Sequence, residues 1–154
     1  MAFTLRPMRE TDILLLAAWM VETPLWQRYG LTIPKATSGF ENGLAQNHWL
    51  ITAEVDEDVC GFAWGIPKGS FGRSPYLRLI GVRADQAGSG IGVALLDDIE
   101  RQSAQVASDL FLLVSDFNTR AQHFYTRQGF EQVGALSGYV LPDVTEFIFH
   151  KRVK

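Results

Sequence analysis

Hydrophobic and polar residues follow several different periods along the chain, and each period predicts an element of secondary structure. Alternation in Phe3–Met8 predicts a short strand that stops near Pro7. The next segment has helical character, and Thr11 or Asp12 is suited to cap a helix that runs to about Val21. The chain is therefore expected to begin with a strand and a helix.

Two shorter helical patterns come next. The sequence PLWQRYG predicts a short helical piece that ends at Gly30. The sequence SGFE (Ser38–Glu41) has the spacing of a capping box, which predicts another short helix up to about Gln46. These helices precede the first β-rich part of the chain.

The pattern then changes to one that is typical of strands. HWLITAEV and VCGFAWGI are β-rich runs on either side of the turn-forming tract at 56–58, which predicts a hairpin. The run YLRLIGV (Tyr76–Val82) is almost continuously apolar, as expected for a strand covered on both faces. A helix follows, and one stripe of it consists of Ile91, Ala94, Leu95, Ile99 and Val106.

The last third of the chain repeats strand and helix patterns. LFLLVS (Leu110–Ser115) predicts a buried strand, and TRAQHFYTRQGF predicts a helix with Thr119 or Asn118 at its N-cap and Gly129 at a left-handed C-terminal stop. FEQVGAL and VTEFIFHKRV predict two closing strands. The order β–α–α–βββ–α–β–α–β–β indicates an α+β fold in α/β/α layers, with helices on both faces of a mixed sheet.

Composition and length agree with a single domain that spans residues 1–154. The chain is 47% hydrophobic and 20% charged, which is typical of a protein that buries its own core. Its formal net charge of −3 argues against a nucleic-acid partner, because phosphate neutralisation requires a basic face. A homodimer is compatible with the sequence.

Cysteine usage and hydropathy favour a cytoplasmic location without a membrane partner. The chain has one cysteine, Cys60, which cannot form an intramolecular disulfide. The longest apolar run, Ile13–Val21, is far shorter than the roughly 20 residues of a membrane span. The three histidines show no metal-ligand spacing, so no metal site is expected.

Three glycines at alternate positions, Gly88, Gly90 and Gly92, lie between a predicted strand and a predicted helix. Main-chain N–H groups at a helix start are unpaired and carry the positive end of the helix dipole, so they bind anions such as phosphate. The spacing excludes two common phosphate loops. No lysine follows the glycines as a P-loop requires, and the pattern G-x-G-x-x-G would need glycine where the chain has Val93.

Two blocks of the sequence resemble those of the GCN5-related N-acetyltransferase (GNAT) family. VRADQAGSGIGVALL (Val82–Leu96) is similar to the family's acetyl-CoA-binding motif, [Arg/Gln]-x-x-Gly-x-Gly followed by an apolar helix, except that Ala87 occupies the Arg or Gln position. LLVSDFNTRAQHFYTRQGF (Leu112–Phe130) is similar to the family block Asn-x-x-Ala-x-x-Phe-Tyr-x-x-x-Gly-Phe. The resemblance implies a GNAT-type acyl-CoA N-acyltransferase fold, with the sheet splayed between strands 76–82 and 110–116.

The resemblance also implies an activity. A GNAT enzyme transfers the acetyl group of acetyl-CoA to a primary amine, on a small molecule or a peptide, by direct attack in a ternary complex. Tyr125 corresponds to the general acid that supplies a proton to the departing thiolate. The implied cofactor-binding residues are Ile80, Gly81, Val82, Gly88, Ser89, Gly90, Ile91, Gly92, Val93, Asn118 and Tyr125. Structural roles stay open beside these: sheet pairing for 80–82, a helix cap for Asn118, and core packing for Tyr125.

The general base is not identified by the resemblance. Family members often carry a glutamate in one of the two central strands, and Tyr76 and Leu113 occupy those positions here. Glu54, Asp116 and Glu146 remain candidates, and Tyr76 is suited to relay a proton through water. The alternative functions are a catalytically weak acyl-CoA sensor or regulatory protein with the same fold, and a nucleotide-phosphate binder that uses the same loop.

The acceptor amine is expected to bind to residues 22–48, with help from the segment around Tyr139. This region contains aromatic and acidic residues that suit a cationic amine, namely Trp26, Tyr29, Phe40, Glu22 and Glu41. Aromatic residues beside helices are, however, more often part of a core.

Overall fold

The computed structural model describes residues 2–154. In chain order its elements are β1 (Thr4–Pro7), α1 (Glu10–Met20), α2 (Pro24–Arg28), α3 (Ile33–Ala45), β2 (Trp49–Val55), β3 (Asp58–Ser70), β4 (Ser74–Val82), α4 (Ile91–Val106), β5 (Asp109–Ser115), α5 (Thr119–Arg127), β6 (Glu131–Ser137) and β7 (Thr145–Arg152). A turn of 3-10 helix, Ala84–Gln86, separates β4 from α4.

The strands form one mixed seven-stranded sheet in the order β1-β2-β3-β4-β5-β7-β6, with helices on both faces. Strands β4 and β5 are parallel, with Tyr76 beside Phe111 and Leu77 beside Leu112. The pairs β1–β2, β2–β3, β5–β7 and β6–β7 are antiparallel. The fold class predicted from the sequence is confirmed.

The chain folds into two compact units. The first is formed by Met1–Gly65 with Leu79–Ile99, and the second by Ile66–Arg78 with Glu100–Lys154. The divisions fall within β3, β4 and α4, so each of these elements contributes residues to both units.

Three helices lie between β1 and β2 in the first unit, in agreement with the three helical patterns of the sequence, whereas the predicted element order contained only two. Helix α1 begins before the predicted cap at Thr11 or Asp12, because the Asp12 carboxylate accepts the Arg9 main-chain N–H (2.7 Å) from within the first turn. Helix α3 begins at Ile33, well before the predicted box SGFE. Its N-cap is Thr32, whose Oγ1 accepts the Lys35 N–H (3.3 Å), so the predicted start of this helix was wrong.

Two turns predicted from the sequence are confirmed. The β2–β3 hairpin closes with Val55 beside Asp58, and both connecting residues, Asp56 and Glu57, have positive φ angles of 50° and 66°. Two left-handed residues in succession give the turn twist that matches paired strands. Helix α5 ends before Gly129, whose φ of +94° favours glycine.

Each unit contains buried apolar residues. In the first, Trp19, Trp26, Phe40, Phe62 and Trp64 form a connected group of aromatic rings. In the second, the largest buried side chains include Leu110, Leu112 and Phe130. The predicted stripe of α4 is buried at Ile91, Leu95 and Ile99, whereas Val106, at the end of the helix, is 61% exposed.

Strand β1 is joined to helix α1 by a two-point ion pair. Arg6 Nη1 and Nη2 donate to the two oxygens of Asp12, at 2.7 and 2.9 Å, and Asp12 is only 3% exposed. The Arg6 guanidinium holds the pKa of Asp12 below its usual value of 3.8. The charged form of Asp12 is therefore favoured in the folded chain.

Substituting Asp12→Asn is expected to lower the free energy of unfolding by about 3 kcal/mol at neutral pH, since it leaves a partly buried Arg6 without its main partner. Because folding lowers the pKa of Asp12, its contribution is present above pH 3.8 and is lost as the pH falls through the lower folded value. Urea unfolding at several pH values measures both effects. A loss that does not shrink in acid would contradict the ion-pair explanation.

Candidate active site

The glycine loop (Gly88–Val93) follows the 3-10 turn and includes the first three residues of helix α4. Gly88 and Gly90 have φ angles of +77° and +87°, and a Cβ atom added to either would meet nothing within 4 Å. These glycines are thus favoured by backbone conformation, and open space lies beside them. Ser89 Oγ donates to the carbonyl of Gln86 (2.6 Å), which holds the loop against the preceding turn.

Helix α4 begins with main-chain donors that its own hydrogen bonds leave unused. Its first intrahelical bond joins the N–H of Ala94 to the carbonyl of Gly90 (3.1 Å). The N–H groups of Ile91, Gly92 and Val93 precede that bond, in the first turn of a 16-residue helix. Together with the open space at Gly88 and Gly90, this geometry suits an anion with several oxygens.

The end of β4 leads into this loop. Ile80, Gly81 and Val82 are half-buried. A Cβ on Gly81 would lie 2.5 Å from Trp26 Cη2 and 3.0 Å from Phe62 Cε1, so only glycine fits against these rings. The structural reason for this glycine was not visible in the sequence.

Arg83 fixes the exit from β4. Its main-chain N–H donates to the carbonyl of Cys60 (2.7 Å), and its guanidinium binds Asp58 (2.7 Å) and Asp85 (2.6 Å). The Arg83 hydrogen bond lowers the pKa of Asp85. Asp85 lies within the 3-10 turn, so these bonds hold the start of the loop to β3 and β4.

In the second unit, Asn118 is the N-cap of α5. Its Oδ1 accepts the N–H of Ala121 (3.2 Å), and the helix begins at Thr119. Of the two N-cap candidates, Asn118 is therefore correct and Thr119 is not. This capping contact uses the side-chain oxygen and leaves the side-chain amide group for other partners.

Tyr125 lies on α5 and is 7% exposed. Its ring packs at steep angles against Phe124, Phe130 and Phe149, with centroid distances of 5.4, 5.7 and 6.3 Å. Burial raises the pKa of the Tyr125 hydroxyl, and the nearby Tyr76 raises it further. The hydroxyl is therefore protonated at neutral pH and is a hydrogen-bond donor.

A family model described as Acetyltransferase (GNAT) family matches residues 14–130. The chain belongs to the GNAT acetyltransferase family. The match includes the glycine loop and the whole of α5, and it ends at Phe130. The resemblance read from the two sequence blocks is thus confirmed.

Solved structures share the GNAT fold over nearly the whole chain. Ard1 from Thermoplasma volcanium is 21% identical, with a TM-score of 0.82 and coverage of 100% of this chain and 99% of that one. The ribosomal-protein-S18-alanine N-acetyltransferase from Escherichia coli is 20% identical, with a TM-score of 0.77 and coverage of 99% and 95%. The protein yncA from Salmonella typhimurium, solved with its cofactor acetyl-CoA, is 13% identical, with a TM-score of 0.80 and coverage of 99% and 95%. No curated protein sequence matches the chain.

The three carboxylates considered as the base of this GNAT protein have different surroundings. Glu54 accepts a hydrogen bond from Arg6 Nε (3.2 Å). Asp116 Oδ2 accepts the main-chain N–H of Thr145 (3.1 Å). Glu146 lies on β7 and is 5% exposed. Glu54 and Asp116 thus have evident structural roles.

The aromatic residues that the sequence offered for the acceptor belong mainly to the core of the first unit. Phe40 is 1% exposed and Trp26 is 9% exposed, while Glu22 and Glu41 are exposed. Phe40 therefore presents no free ring face to a cationic amine. Tyr29, in contrast, is half-buried, and the binding of the acceptor by residues 22–48 stays a prediction.

Among residues 2–154, no group of three or more His, Cys, Asp and Glu side chains is arranged to hold a metal ion. Within that part of the chain, no helix combines the length and the apolar character needed to cross a membrane.

Proposed function

We propose that this GNAT protein is an acetyl-CoA-dependent N-acetyltransferase that acetylates a primary amine on a small molecule or a peptide. The observation that carries the proposal is the glycine loop, in which open space at two left-handed glycines adjoins the free N–H groups of α4. Such a site suits the pyrophosphate of coenzyme A. Bound acetyl-CoA would supply an activated thioester to the amine.

Each predicted site residue has a proposed role. Gly88–Val93 bind the pyrophosphate through main-chain N–H groups, and Ile80–Val82 bind the pantetheine arm through main-chain groups of β4. By the family resemblance, Asn118 offers its side-chain amide to the cofactor while its side-chain oxygen caps α5. In the family motif Ala87 replaces an Arg or Gln, which removes one side-chain contact and leaves the main-chain contacts.

Tyr125 is proposed as the general acid. When the amine attacks the thioester carbonyl, the carbon–sulfur bond breaks and a thiolate leaves. The buried Tyr125 hydroxyl stays protonated because burial raises its pKa. It donates a hydrogen bond to the thiolate sulfur and transfers its proton as the bond breaks. The nitrogen, which is now bonded to the acetyl group, loses its excess proton to the Tyr125 phenolate, and this restores the phenol.

A catalytically weak acyl-CoA sensor is the second candidate function. Ala87 and the absence of a carboxylate at Tyr76 and Leu113 favour it. For both functions we propose that the chain acts as one domain. We also propose that it has no nucleic-acid partner, in agreement with its net charge of −3. The single buried Cys60 supports a reducing, cytoplasmic compartment.

A thermal-shift series with acetyl-CoA, ATP and NAD tests the ligand. A ligand that binds only the folded chain stabilises it, by about 2.7 kcal/mol at a hundredfold excess over its Kd. We expect acetyl-CoA to raise the melting temperature and ATP and NAD to leave it unchanged. A shift with ATP or NAD but not with acetyl-CoA would overturn the proposal. Free-thiol release with polyamines, aminoglycosides and peptide N-termini then separates an enzyme from a sensor.

A further inference from the structure

One face of the sheet in the second unit collects the residues that concern proton transfer. Tyr76 pairs with Phe111 across β4 and β5, and Ser115 pairs with Glu146 across β5 and β7. Paired residues share a face, and side chains along a strand alternate between faces. Tyr76, Leu113 and Glu146 therefore share one face of the sheet.

The opposite face of β5 is buried, and helix α5 packs on it. Leu112 and Val114 are buried there, and Leu112 pairs with Phe149, which packs against Tyr125 of α5. The face that carries Glu146 is thus the one that α5 does not cover.

Glu146 is a carboxylate on the face where the two family positions lack one. Tyr76 and Leu113 cannot accept a proton as a carboxylate does. Glu146 is one strand away from Leu113 and aligned with Ser115, the next residue of β5 on that face. At 5% exposure, Glu146 is among the most buried charged residues of the chain.

We propose that Glu146 is the general base, which takes up the proton of the acceptor ammonium. The proposal rests on the proposed acetyltransferase function. The ammonium gives one proton to the Glu146 carboxylate and becomes a neutral amine. The nitrogen lone pair then forms the carbon–nitrogen bond to the thioester carbonyl as the carbon–sulfur bond breaks, and Tyr125 protonates the thiolate. Glu146 returns its proton to solvent after the product leaves.

Electrostatics in the second unit agree with this assignment. Burial raises the pKa of the Tyr76 hydroxyl, Arg78 lowers it, and Glu146 and Tyr139 raise it. Tyr76 in turn raises the pKa of Tyr125. Tyr76 therefore interacts electrostatically with both Glu146 and Tyr125, and it shares a face of the sheet with Glu146.

The test compares Glu146→Gln with the wild-type chain on two kinds of acceptor. With an alkylamine such as spermidine, which is protonated near neutral pH, we expect kcat to fall about 100-fold. With hydroxylamine, which is largely neutral there, kcat should change little, because no proton has to be removed before attack. The alkylamine rate of the variant should also rise with pH toward the amine's own pKa of about 10. Glu146→Asp, which keeps the carboxylate, should recover part of the rate.

The pH profile has to be separated from other titrating groups on this face. The titratable and charged groups there include Tyr76 and Arg78 on β4, Asp109 on β5, Glu131 on β6, Tyr139 between β6 and β7, and His150 and Arg152 on β7. The profile of a Tyr76→Phe variant separates its hydroxyl from Glu146. Glu131→Gln, at an exposed end of β6, is the matched control and should leave both acceptors unaffected.

The outcomes distinguish this proposal from the proposed function. If the wild-type chain turns over spermidine and Glu146→Gln loses less than about threefold, or loses hydroxylamine turnover equally, Glu146 is not the base. If the wild-type chain acetylates neither amine although acetyl-CoA raises its melting temperature, both proposals fail in favour of the sensor. If Glu146→Gln does not fold, as judged by the loss of its acetyl-CoA shift, Glu146→Asp decides. Partial alkylamine turnover together with normal hydroxylamine turnover supports the base, and equal losses with both acceptors overturn it.

Discussion

Substituting Tyr125→Phe is expected to lower kcat about 100-fold while the chain keeps its fold and its affinity for acetyl-CoA. General-acid groups contribute rate factors of roughly 100 to 10,000, and the departing thiolate, with a pKa of about 8.5 for a typical thiol, leaves more readily than an alkoxide. The smaller factor is therefore appropriate. The ring contacts with Phe130 and Phe149 do not involve the hydroxyl, so the phenylalanine variant fits the same space.

Steady-state kinetics and the acetyl-CoA thermal shift measure the two parts of this prediction. Thr126→Ala is a matched control, because it removes a hydroxyl from the next residue of α5, where Thr126 Oγ1 donates only to the carbonyl of Gln122 (2.8 Å). Its kcat should equal that of the wild type. An unchanged kcat in Tyr125→Phe, or a loss that appears only in the affinity for acetyl-CoA, would remove Tyr125 from the proton-transfer step.

The raised pKa of Tyr125 also predicts the pH dependence. Because burial moves the pKa of this phenol above its ordinary value of 10, the proton donor persists across the neutral and mildly alkaline range. The ratio of wild-type to Tyr125→Phe rates should therefore stay constant from about pH 6 to about pH 9. A ratio that falls within that interval would show that the hydroxyl ionises there.

Much of the fold was predictable because local signals agreed with the tertiary arrangement. The strands around 56–58 and the helix after the glycines have strong periodic patterns, and tertiary packing preserves them. The start of α3 was not predictable from its strongest local signal. SGFE has capping-box spacing, but Thr32 and the following Pro34 form an earlier helix start, and Ser38 lies inside the helix.

Some features of the candidate site were likewise predictable from local sequence, and others were not. The glycine loop and the Asn118 cap depend on residues close together in the sequence, so spacing was enough to predict them. The relation between Tyr76 and Glu146 depends on two strand pairings that connect residues far apart in the sequence. Before the register is known, Glu54, Asp116 and Glu146 are equivalent candidates. Alternation along each strand selects one of them only when the pairing partners are known.

The glycine loop yields the other large effect, on the binding of acetyl-CoA. Gly90→Asn is expected to weaken binding about tenfold, because its side chain occupies the open space where the pyrophosphate is proposed to lie. Gly90→Asp has almost the same shape but adds a negative charge, and should weaken binding by a further factor of about ten, or about 1.4 kcal/mol. Asn and Asp both tolerate the left-handed backbone at φ +87°, so the pair of variants isolates charge from shape.

Isothermal titration with acetyl-CoA at low and high salt measures this difference. The difference in affinity between the two variants should become smaller at high salt. Dissolved ions weaken the interaction between exposed charges, with a screening length of about 10 Å at 0.1 M ionic strength. Gly72→Asp, at another left-handed glycine with open space, controls for backbone strain and added charge elsewhere, and should bind acetyl-CoA like the wild type. Equal affinities for Gly90→Asn and Gly90→Asp would mean that no phosphate lies beside Gly90. The pyrophosphate would then have to bind elsewhere, and the N–H groups at the start of α4 would lose their proposed role.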